Sequence, residues 1–375
     1  MKRLPTTLLL AVLTLSPFAS ASAKDWHINP ESKIDSPDGS PERPLPSVQT
    51  AVDLALPGDV IHLHPPGAVY RQMITLRNDS GITIEGNNVT LTGADPLPVE
   101  GWEPLEPTLH RRKLTEPAMK RHLLIFNGKA QRMRRSPSLN TPFPDPHQMA
   151  EGEFAWQPID GETGWLYVRT SQPLSQLEWS VRTAGIATSG TCRDIKIRNL
   201  NTRHALNDGF NIHGDCRGFH ASKISAYECF DEGFSAHDAS QTTVEDGLFW
   251  GNDHAIADVN TAETRYLRCE FRDSLSVEVF LSGRAHHLED CRLIASAHNA
   301  FTLRPGTDLK SRTPLHATCL LKNLTVTGIG PTPHSFDSSP ETTLTLDTCT
   351  LSNITLKLLG DHPSTATTLD GKPWP

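Results

Sequence analysis

The sequence predicts an all-β protein, a right-handed parallel β-helix (solenoid), and two observations point to this fold. First, one short unit is repeated five times between residues 207 and 304. Second, the apolar centres of these units are 24, 22, 23 and 22 positions apart, at Phe210, Phe234, Ile256, Val279 and Phe301. An even period of short segments separated by Gly, Asn and Asp is typical of coils that bury their apolar faces only by stacking.

Apolar and polar residues alternate within each unit, which predicts the direction of the side chains. Phe210 and Ile212 are expected inside the coil, and Asn211 and His213 outside. Asp258 breaks the pattern because it falls on an inward position. Either a bulge shifts the register there or a carboxylate is buried, and the pattern leaves both alternatives open.

Residues 1–23 have the pattern of a secretory signal peptide. Lys2 and Arg3 precede an apolar run from Leu8 to Leu15, and small residues follow at 21–23. The run is too short to span a bilayer, and no later segment is apolar enough to do so. We therefore expect a secreted or periplasmic protein without a transmembrane segment.

Residues 24–95 are predicted to form an N-terminal cap and the first coils. The segment from Ser47 to Leu56 has apolar residues at helical spacing, and a helix placed there would cover the open end of the apolar interior. Short alternating strands follow it. The order of Asp-Gly-Ser-Pro (38–41), helix, Pro-Gly-Asp (57–59) and Tyr70 resembles the opening of secreted bacterial proteins of the pectin-lyase-like superfamily.

Residues 96–181 are predicted to form an inserted β-rich subdomain, because the short period disappears there and four tryptophans appear. A hairpin turn is expected at 159–164, before Trp165. This hairpin and the segment 126–129 resemble an insert of several β-helix glycoside hydrolases. Between Arg111 and Arg135 the chain has nine Lys or Arg and one acid. This stretch is either a solvated basic face or a clamp for an anionic polymer that includes Arg132 and Arg134.

Coils are predicted to resume over residues 182–359, before an irregular C-terminal tail at 360–375. The seven cysteines form no CxxC pair, and Cys269 and Cys291 are one period apart. We expect small interior residues stacked in a column, with a single disulfide as the alternative. The formal net charge of −8 argues against a nucleic-acid partner. A monomer is expected.

Polar pairs precede the strand in four of the five central units, and they are the candidate catalytic residues. The pairs are Asn207-Asp208, Asp231-Glu232, Asp253-His254 and His298-Asn299. Stacking at roughly 4.8 Å per coil would bring the first three pairs together. Like charges at such spacing cannot all stay ionised, so at least one carboxyl should hold a proton near neutral pH.

About fifty residues of this region resemble the polygalacturonase-type glycoside hydrolases. The segments 207–210, 231–234 and 252–256 match, in order and coil spacing, their Asn-Thr-Asp-Gly, Asp-Asp and Gly-His-Gly segments. The resemblance implies that Asp231 is the general acid, that Asp208 and Glu232 activate water, and that His254 orients the group. Three features differ: Glu232 replaces an Asp, the His segment lacks its first Gly, and no Arg-Ile-Lys follows, which leaves Arg304 as a cationic substitute. The candidate substrate-binding residues are His213, His237, Asp253, Arg304, Arg132 and Arg134.

The sequence therefore predicts an exported glycoside hydrolase that acts on an acidic or otherwise decorated polysaccharide. One alternative is a polysaccharide lyase or uronate C5-epimerase, although Lys223 is the sole lysine between Asp208 and Arg304. Another is a non-catalytic polysaccharide-binding or surface protein. No metal site is predicted; a calcium ion is the one cofactor that the acids leave open.

Overall fold

The computed structural model describes residues 22–131, 143–296 and 299–374. The predicted signal segment (apart from residues 22 and 23), Arg132, Arg134 and His298 therefore lie outside the described residues. Two large parallel sheets form the walls of a β-helix, and each central coil contributes one strand to the first sheet and two strands to the second. The predicted right-handed parallel β-helix is confirmed.

The first sheet, which we call the front sheet, has nine parallel strands among the described residues. They are Ile74–Arg77, Ile186–Ser189, Phe210–Ile212, Glu232–Ala236, His254–Val259, Val277–Ser282, Asn299–Leu303, His334–Ser338 and Ile354–Leu358.

The second sheet, the back sheet, has nineteen strands in the same described ranges. They are Asp25–Ile28, Val60–Leu63, Val69–Tyr70, Thr83–Thr92, Lys196–Arg203, Phe219–Tyr227, Gln241–Glu245, Leu248–Trp250, Glu263–Leu267, Glu270–Arg272, Ala285–Glu289, Arg292–Ala295, Ala317–Lys322, Thr325–Gly328, Thr342–Asp347, Thr350–Ser352, Ser364–Thr365, Thr368–Leu369 and Lys372–Pro373. Two small sheets pair Thr191–Arg193 with Asp215–Arg217, and Gly306–Thr307 with Pro314–Leu315.

The register of the front sheet aligns the five apolar residues of the predicted column as direct neighbours on successive strands. Phe210 pairs with Phe234, Phe234 with Ile256, and the column continues through Val279 to Phe301. All five side chains are fully buried. The repeat period therefore identified the residues that become neighbours on stacked coils.

Asp258 is a buried carboxylate in the interior and does not mark a bulge, because it pairs in register with Ala236 and Leu281. It is fully buried. The Ala236 N–H donates to it at 3.1 Å, the Thr264 hydroxyl at 2.8 Å, and the Tyr266 hydroxyl at 3.0 Å. Burial nevertheless raises the pKa of Asp258 to about 7.

A capping helix, Val48–Leu54, covers the N-terminal end of the β-helix, as predicted. The Ser47 hydroxyl accepts a hydrogen bond from the Thr50 N–H at 3.3 Å. Val48, Ala51 and Val52 are buried against the first coils. No helix in the described part of the chain is both long and apolar enough to cross a bilayer.

The insert consists of two antiparallel sheets around its own apolar core, which includes Trp156 and Trp179. One sheet has the strands Ala94–Pro96, Leu124–Phe126, Lys129–Gln131 and Leu177–Ser180; the other has Glu103–Pro104, Leu109–Thr115, Phe154–Pro158 and Thr163–Arg169. Short 3₁₀ turns occupy Ala118–Lys120, Pro146–Gln148 and Leu174–Gln176. The predicted hairpin turn joins Pro158 to Thr163, and Asp160 accepts hydrogen bonds from backbone N–H groups within it.

The seven cysteines are all buried free thiols. Cys192 pairs with Cys216 in adjacent strands, and the Cys269 N–H donates to the Cys291 sulfur at 3.4 Å. The column of interior cysteines was therefore the correct alternative. In the segment predicted as an irregular tail, Ser364–Thr365 and Thr368–Leu369 pair with the last coil of the back sheet.

Candidate active site

The candidate site lies where three successive coils enter the front sheet. It consists of Asp208, Asp231, Glu232, Asp253 and His254, which we call the acid–His cluster. Carboxylate oxygens of Asp208, Asp231 and Glu232 lie within 4.8 Å of one another, and so do ligand atoms of Asp231, Asp253 and His254. Coil stacking thus assembles residues that the sequence separates by one period each.

Glycines next to the acids allow the coils to approach each other closely at this edge. A Cβ atom at Gly233 would lie 2.6 Å from the Ala255 carbonyl oxygen, and one at Gly209 would lie 2.4 Å from the Thr202 hydroxyl. Neither distance is tolerated by a real side chain. The Asp-Gly and Glu-Gly pairs therefore reflect tight backbone packing beside the carboxyl groups.

Asp208 is sealed from solvent, with 1% of its surface exposed. The Ser235 hydroxyl donates to its Oδ2 at 2.6 Å, and the Glu232 N–H donates to its Oδ1 at 3.1 Å. Burial raises the pKa of Asp208 well above its ordinary value, and the Glu232 carboxyl beside it raises this pKa further. The role of water activation that the resemblance implied for Asp208 is therefore wrong, because no sugar or bulk water reaches it.

Asp231 forms an ion pair with Arg121, a residue of the insert. The Arg121 Nη2 lies 2.7 Å from the Asp231 Oδ2, and 17% of each side chain is exposed. The same guanidinium donates to the Asn207 amide oxygen and to the Leu206 carbonyl, and it lies over the Phe230 ring at 5.4 Å. The insert therefore contributes a cation directly to the site.

His254 lies between two carboxylates. Its Nδ1 is 3.4 Å from Glu232 Oε1 and 3.2 Å from Asp253 Oδ2. The Ser276 hydroxyl donates to the other Asp253 oxygen at 2.6 Å. Phe280 contacts the imidazole edge to face, with ring centroids 6.0 Å apart. The predicted pair Asp253-His254 is thus part of the cluster.

Several other predicted binding residues lie elsewhere. His213 and His237 stack on each other at the opposite ends of their strands, with ring centroids 4.1 Å apart. Burial and the neighbouring His213 lower the pKa of His237 to about 4, so His237 is neutral at physiological pH. Arg304 lies at that same edge, three coils further along, and pairs with Asp337 at 2.6 Å. Arg304, the expected cationic substitute, therefore lies at the edge of the front sheet opposite to the acids, and its role in substrate binding stays a prediction.

Three arginines of the basic stretch, Arg111, Arg112 and Arg121, are engaged within the protein. Arg111 pairs with Glu103 at 2.7 Å and lies over the Trp165 ring at 4.2 Å. Arg112 donates to the Pro98 carbonyl at 2.7 Å. Sequence reasoning did not single out Arg121, although it lies in this stretch; the local charge excess was the one signal available for it.

The spacing of the carboxylates would suit a cation, but the residues present do not argue for a metal. The Arg121 guanidinium already contributes positive charge at Asp231. Both oxygens of Asp208 accept protein hydrogen bonds. These groups compete with a cation for the carboxylate oxygens, and the expectation of no metal, with calcium as the alternative, stays a prediction.

A separate concavity of about 530 Å³ lies on the back sheet and contains no residue of the acid–His cluster. Its outer walls include His220, Gln241, Arg265 and His287. Most of these side chains pair with acids on the same face, such as Glu245 and Glu289. The candidate catalytic side chains are therefore those of the acid–His cluster on the front sheet.

No family model and no curated protein match the sequence, whereas solved structures resemble the fold. The structure of XylC with xylose is 13% identical, with a TM-score of 0.54 over 89% of this chain and 70% of XylC. A glycoside hydrolase is 9% identical, with a TM-score of 0.54 over 93% and 96% of the two chains. A pectate lyase is 11% identical, with a TM-score of 0.51 over 92% and 79%. These likenesses show the fold alone, which is a right-handed parallel β-helix.

Proposed function

We propose that the protein is an exported glycoside hydrolase that cleaves a polysaccharide by carboxylate catalysis at the acid–His cluster. The observation that carries the proposal is the convergence of four carboxyl groups and one imidazole from three successive coils. Glycoside hydrolysis needs a protonated carboxyl beside the leaving oxygen and a second, ionised carboxylate. Carboxyl groups this close together do not all ionise at once, which supports the presence of both a protonated and an ionised carboxyl in the cluster.

The residues that contact the sugar in this proposal are Asp231 and Glu232. Their side chains are 17% and 15% exposed, whereas Asp208 is sealed beneath them. His254 contacts both Glu232 and Asp253 and orients them. Asp208 acts through Glu232 and is a positioning residue.

The charge of the polysaccharide is left to experiment. The expected clamp for an anionic chain included Arg132 and Arg134, which lie outside the described residues, and Arg304, the expected cationic substitute, is paired with Asp337. Arg121 reaches the cluster but is paired with Asp231. Neutral and anionic glycans therefore belong in the same screen.

The test is a screen of the purified protein against pectic, alginate, sulfated and neutral glycans, with reducing-end and ultraviolet readouts. The proposal predicts new reducing ends without an ultraviolet-absorbing product. An unsaturated product would show a lyase, and an altered uronic acid composition without cleavage would show an epimerase. Binding without any product would favour the non-catalytic alternative.

A further inference from the structure

Three histidines lie together on the outer face of the back sheet, at the N-terminal end of the β-helix. His27 belongs to the strand Asp25–Ile28 and pairs directly with His62 of the strand Val60–Leu63. His64 follows two residues after His62 and lies on the same face, because alternate residues of an extended chain point to the same side. None of these histidines was among the candidate residues predicted from the sequence.

The three imidazole rings are close neighbours. The His27 Nδ1 lies 3.1 Å from the His64 Nε2. The ring centroid of His27 is 5.1 Å from that of His62 and 5.2 Å from that of His64. All three side chains are partly exposed, so a small ion can reach them from solvent.

The contact between the two nitrogens requires at least one neutral ring. The His27 and His64 nitrogens can be this close only if one carries a hydrogen and the other presents its lone pair. Burial and the neighbouring imidazoles also lower the pKa of His27, which favours the neutral form that binds metal ions. Ligand nitrogens of a tetrahedral zinc site are about 3.3 Å apart, because each Zn–N distance is about 2.0–2.1 Å. The observed contact is therefore close to the spacing of two ligands of one ion.

Asp25 sets the orientation of the third histidine. The His62 Nε2 lies 2.9 Å from the Asp25 Oδ1, so this nitrogen donates its hydrogen and the Nδ1 of the neutral ring carries the lone pair. Metal-binding histidines usually donate their second ring nitrogen to a carboxylate or a carbonyl in this way. Asp25 and Glu42 also act on His27 as negative charges, which favours a cation at this face.

We propose that His27, His62 and His64 form a binding site for a divalent transition-metal ion of the zinc class. The His27 Nδ1 and the His64 Nε2 are the first two ligands, and the His62 Nδ1 becomes the third after rotation of its ring. Imidazole nitrogens select Zn²⁺, Cu²⁺ or Ni²⁺ over Ca²⁺ and Mg²⁺, which prefer oxygen ligands. The site is separate from the acid–His cluster and does not depend on the proposed function.

A metal ion at this site joins two strands that the chain reaches before and after the capping helix. His27 lies before the helix Val48–Leu54, and the other two ligands lie after it. An ion that binds the folded chain and not the unfolded chain raises the stability of the fold. The site is therefore expected to fasten the N-terminal strand to the first coil.

The first test is calorimetric titration of the purified protein with ZnCl₂ in excess CaCl₂, which competes for the oxygen ligands of the acid–His cluster. Wild type should show a saturable Zn²⁺ site that Ca²⁺ does not displace. Loss of a hydrogen-bond partner of a ligand alone weakens a metal site about 10–100-fold, so loss of a ligand in His27→Asn or His64→Asn should weaken Zn²⁺ binding at least about 10-fold.

His316→Asn is the matched control for the titration. Its ring nitrogen lies 2.9 Å from the Thr343 hydroxyl, away from the three histidines, and the variant should bind Zn²⁺ as wild type does. The absence of a Zn²⁺ site in wild type would overturn the proposal. Equal affinity in wild type, His27→Asn and His64→Asn would overturn it as well.

The second test identifies the third ligand with Cu²⁺ as the probe. Electron paramagnetic resonance of the Cu²⁺ complex should show couplings to imidazole nitrogens, and fewer of them in His62→Asn than in wild type. An unchanged spectrum and affinity in His62→Asn would contradict the role of His62.

The third test is thermal unfolding with and without ZnCl₂, followed by circular dichroism. Zn²⁺ should raise the Tm of wild type and leave that of His27→Asn almost unchanged. Without metal the two proteins should have the same far-ultraviolet spectrum, because the substituted side chain is on the surface. A wild-type Tm that does not rise at saturating Zn²⁺ would contradict a site that joins the two strands.

Discussion

The Ser235 hydroxyl donates a 2.6 Å hydrogen bond to the Asp208 carboxyl, although the two residues lie on adjacent coils. Ser235 is fully buried, and Asp208 is sealed beside it. Ser235 lies between the inward residues Phe234 and Ala236, so alternation places it on the outer face of the front sheet. Both residues are thus enclosed at this edge of the front sheet, where burial raises the pKa of Asp208 well above its ordinary value.

The first prediction concerns the replacement of Asp208. Asp208→Asn should keep most of the stability at pH 7, because an amide resembles the protonated carboxyl and can still accept from the Glu232 N–H. Asp208→Ala leaves the Ser235 hydroxyl and the Glu232 N–H without this acceptor, which costs about 1–3 kcal/mol for each group. Urea unfolding of the two variants checks the difference. Equal destabilisation would show that Asp208 is ionised in the folded protein.

The second prediction concerns the pH dependence of stability due to Asp258. Its folded pKa of about 7 lies above the ordinary aspartate value of 3.8, so the folded state binds more protons than the unfolded state between these values. The free energy of unfolding should therefore fall as pH rises from about 4 to 7, by up to about 1.4 kcal/mol per pH unit from this group.

Asp258→Asn removes this titration and is the comparison. The free energy of unfolding of wild type should fall relative to that of Asp258→Asn as pH rises. The difference between the two proteins should become constant above pH 7. Urea unfolding at pH 5, 6, 7 and 8 measures it. A difference that stays constant over this range would contradict the raised pKa.

The third prediction concerns the cysteines. A thiol reagent added to the native protein should react with almost none of them, because all seven are buried free thiols. After unfolding in denaturant without a reductant, seven thiols per chain should react. A count of five would show one disulfide.

The fourth prediction concerns the apolar column. Phe234 is fully buried and lies against Phe210, with ring centroids 6.0 Å apart. Phe234→Ala should destabilise the protein by about 3–5 kcal/mol, because it leaves a cavity between stacked coils. Leu275→Ala, at a side chain that is 53% exposed, should change stability by less than about 0.5 kcal/mol. Similar losses in the two variants would contradict the stacked core.

The repeat period was sufficient to predict the fold and the columns of side chains that stack on successive coils. A residue one period away becomes a neighbour in the next coil, so Phe210 and Phe234, and Cys269 and Cys291, were predictable contacts. The same rule brought Asp208, Asp231 and His254 together. Each of these relations follows from regular winding and needs no knowledge of side-chain partners.

The remaining features depend on contacts that no period encodes. Arg121 lies in the insert and pairs with Asp231 of the coils. The repeat period does not predict where the insert packs on the coils, so this pair could not be predicted. Alternation shows which face a side chain takes but not what covers it, so the burial of Asp208 could not be predicted. The sequence could not decide between a bulge and a buried carboxylate at Asp258, because the hydroxyl groups that donate to it, Thr264 and Tyr266, come from the next strand of the back sheet.

The measurement that tests the central claim most directly compares wild type with Glu232→Gln on a glycan that wild type cleaves. Both release of reducing ends and binding affinity are measured at the same pH. If the stacked carboxyl groups perform the reaction, turnover by the variant should fall at least about 100-fold while Kd stays within a few-fold of wild type. Turnover at the wild-type rate in Glu232→Gln would contradict the claim.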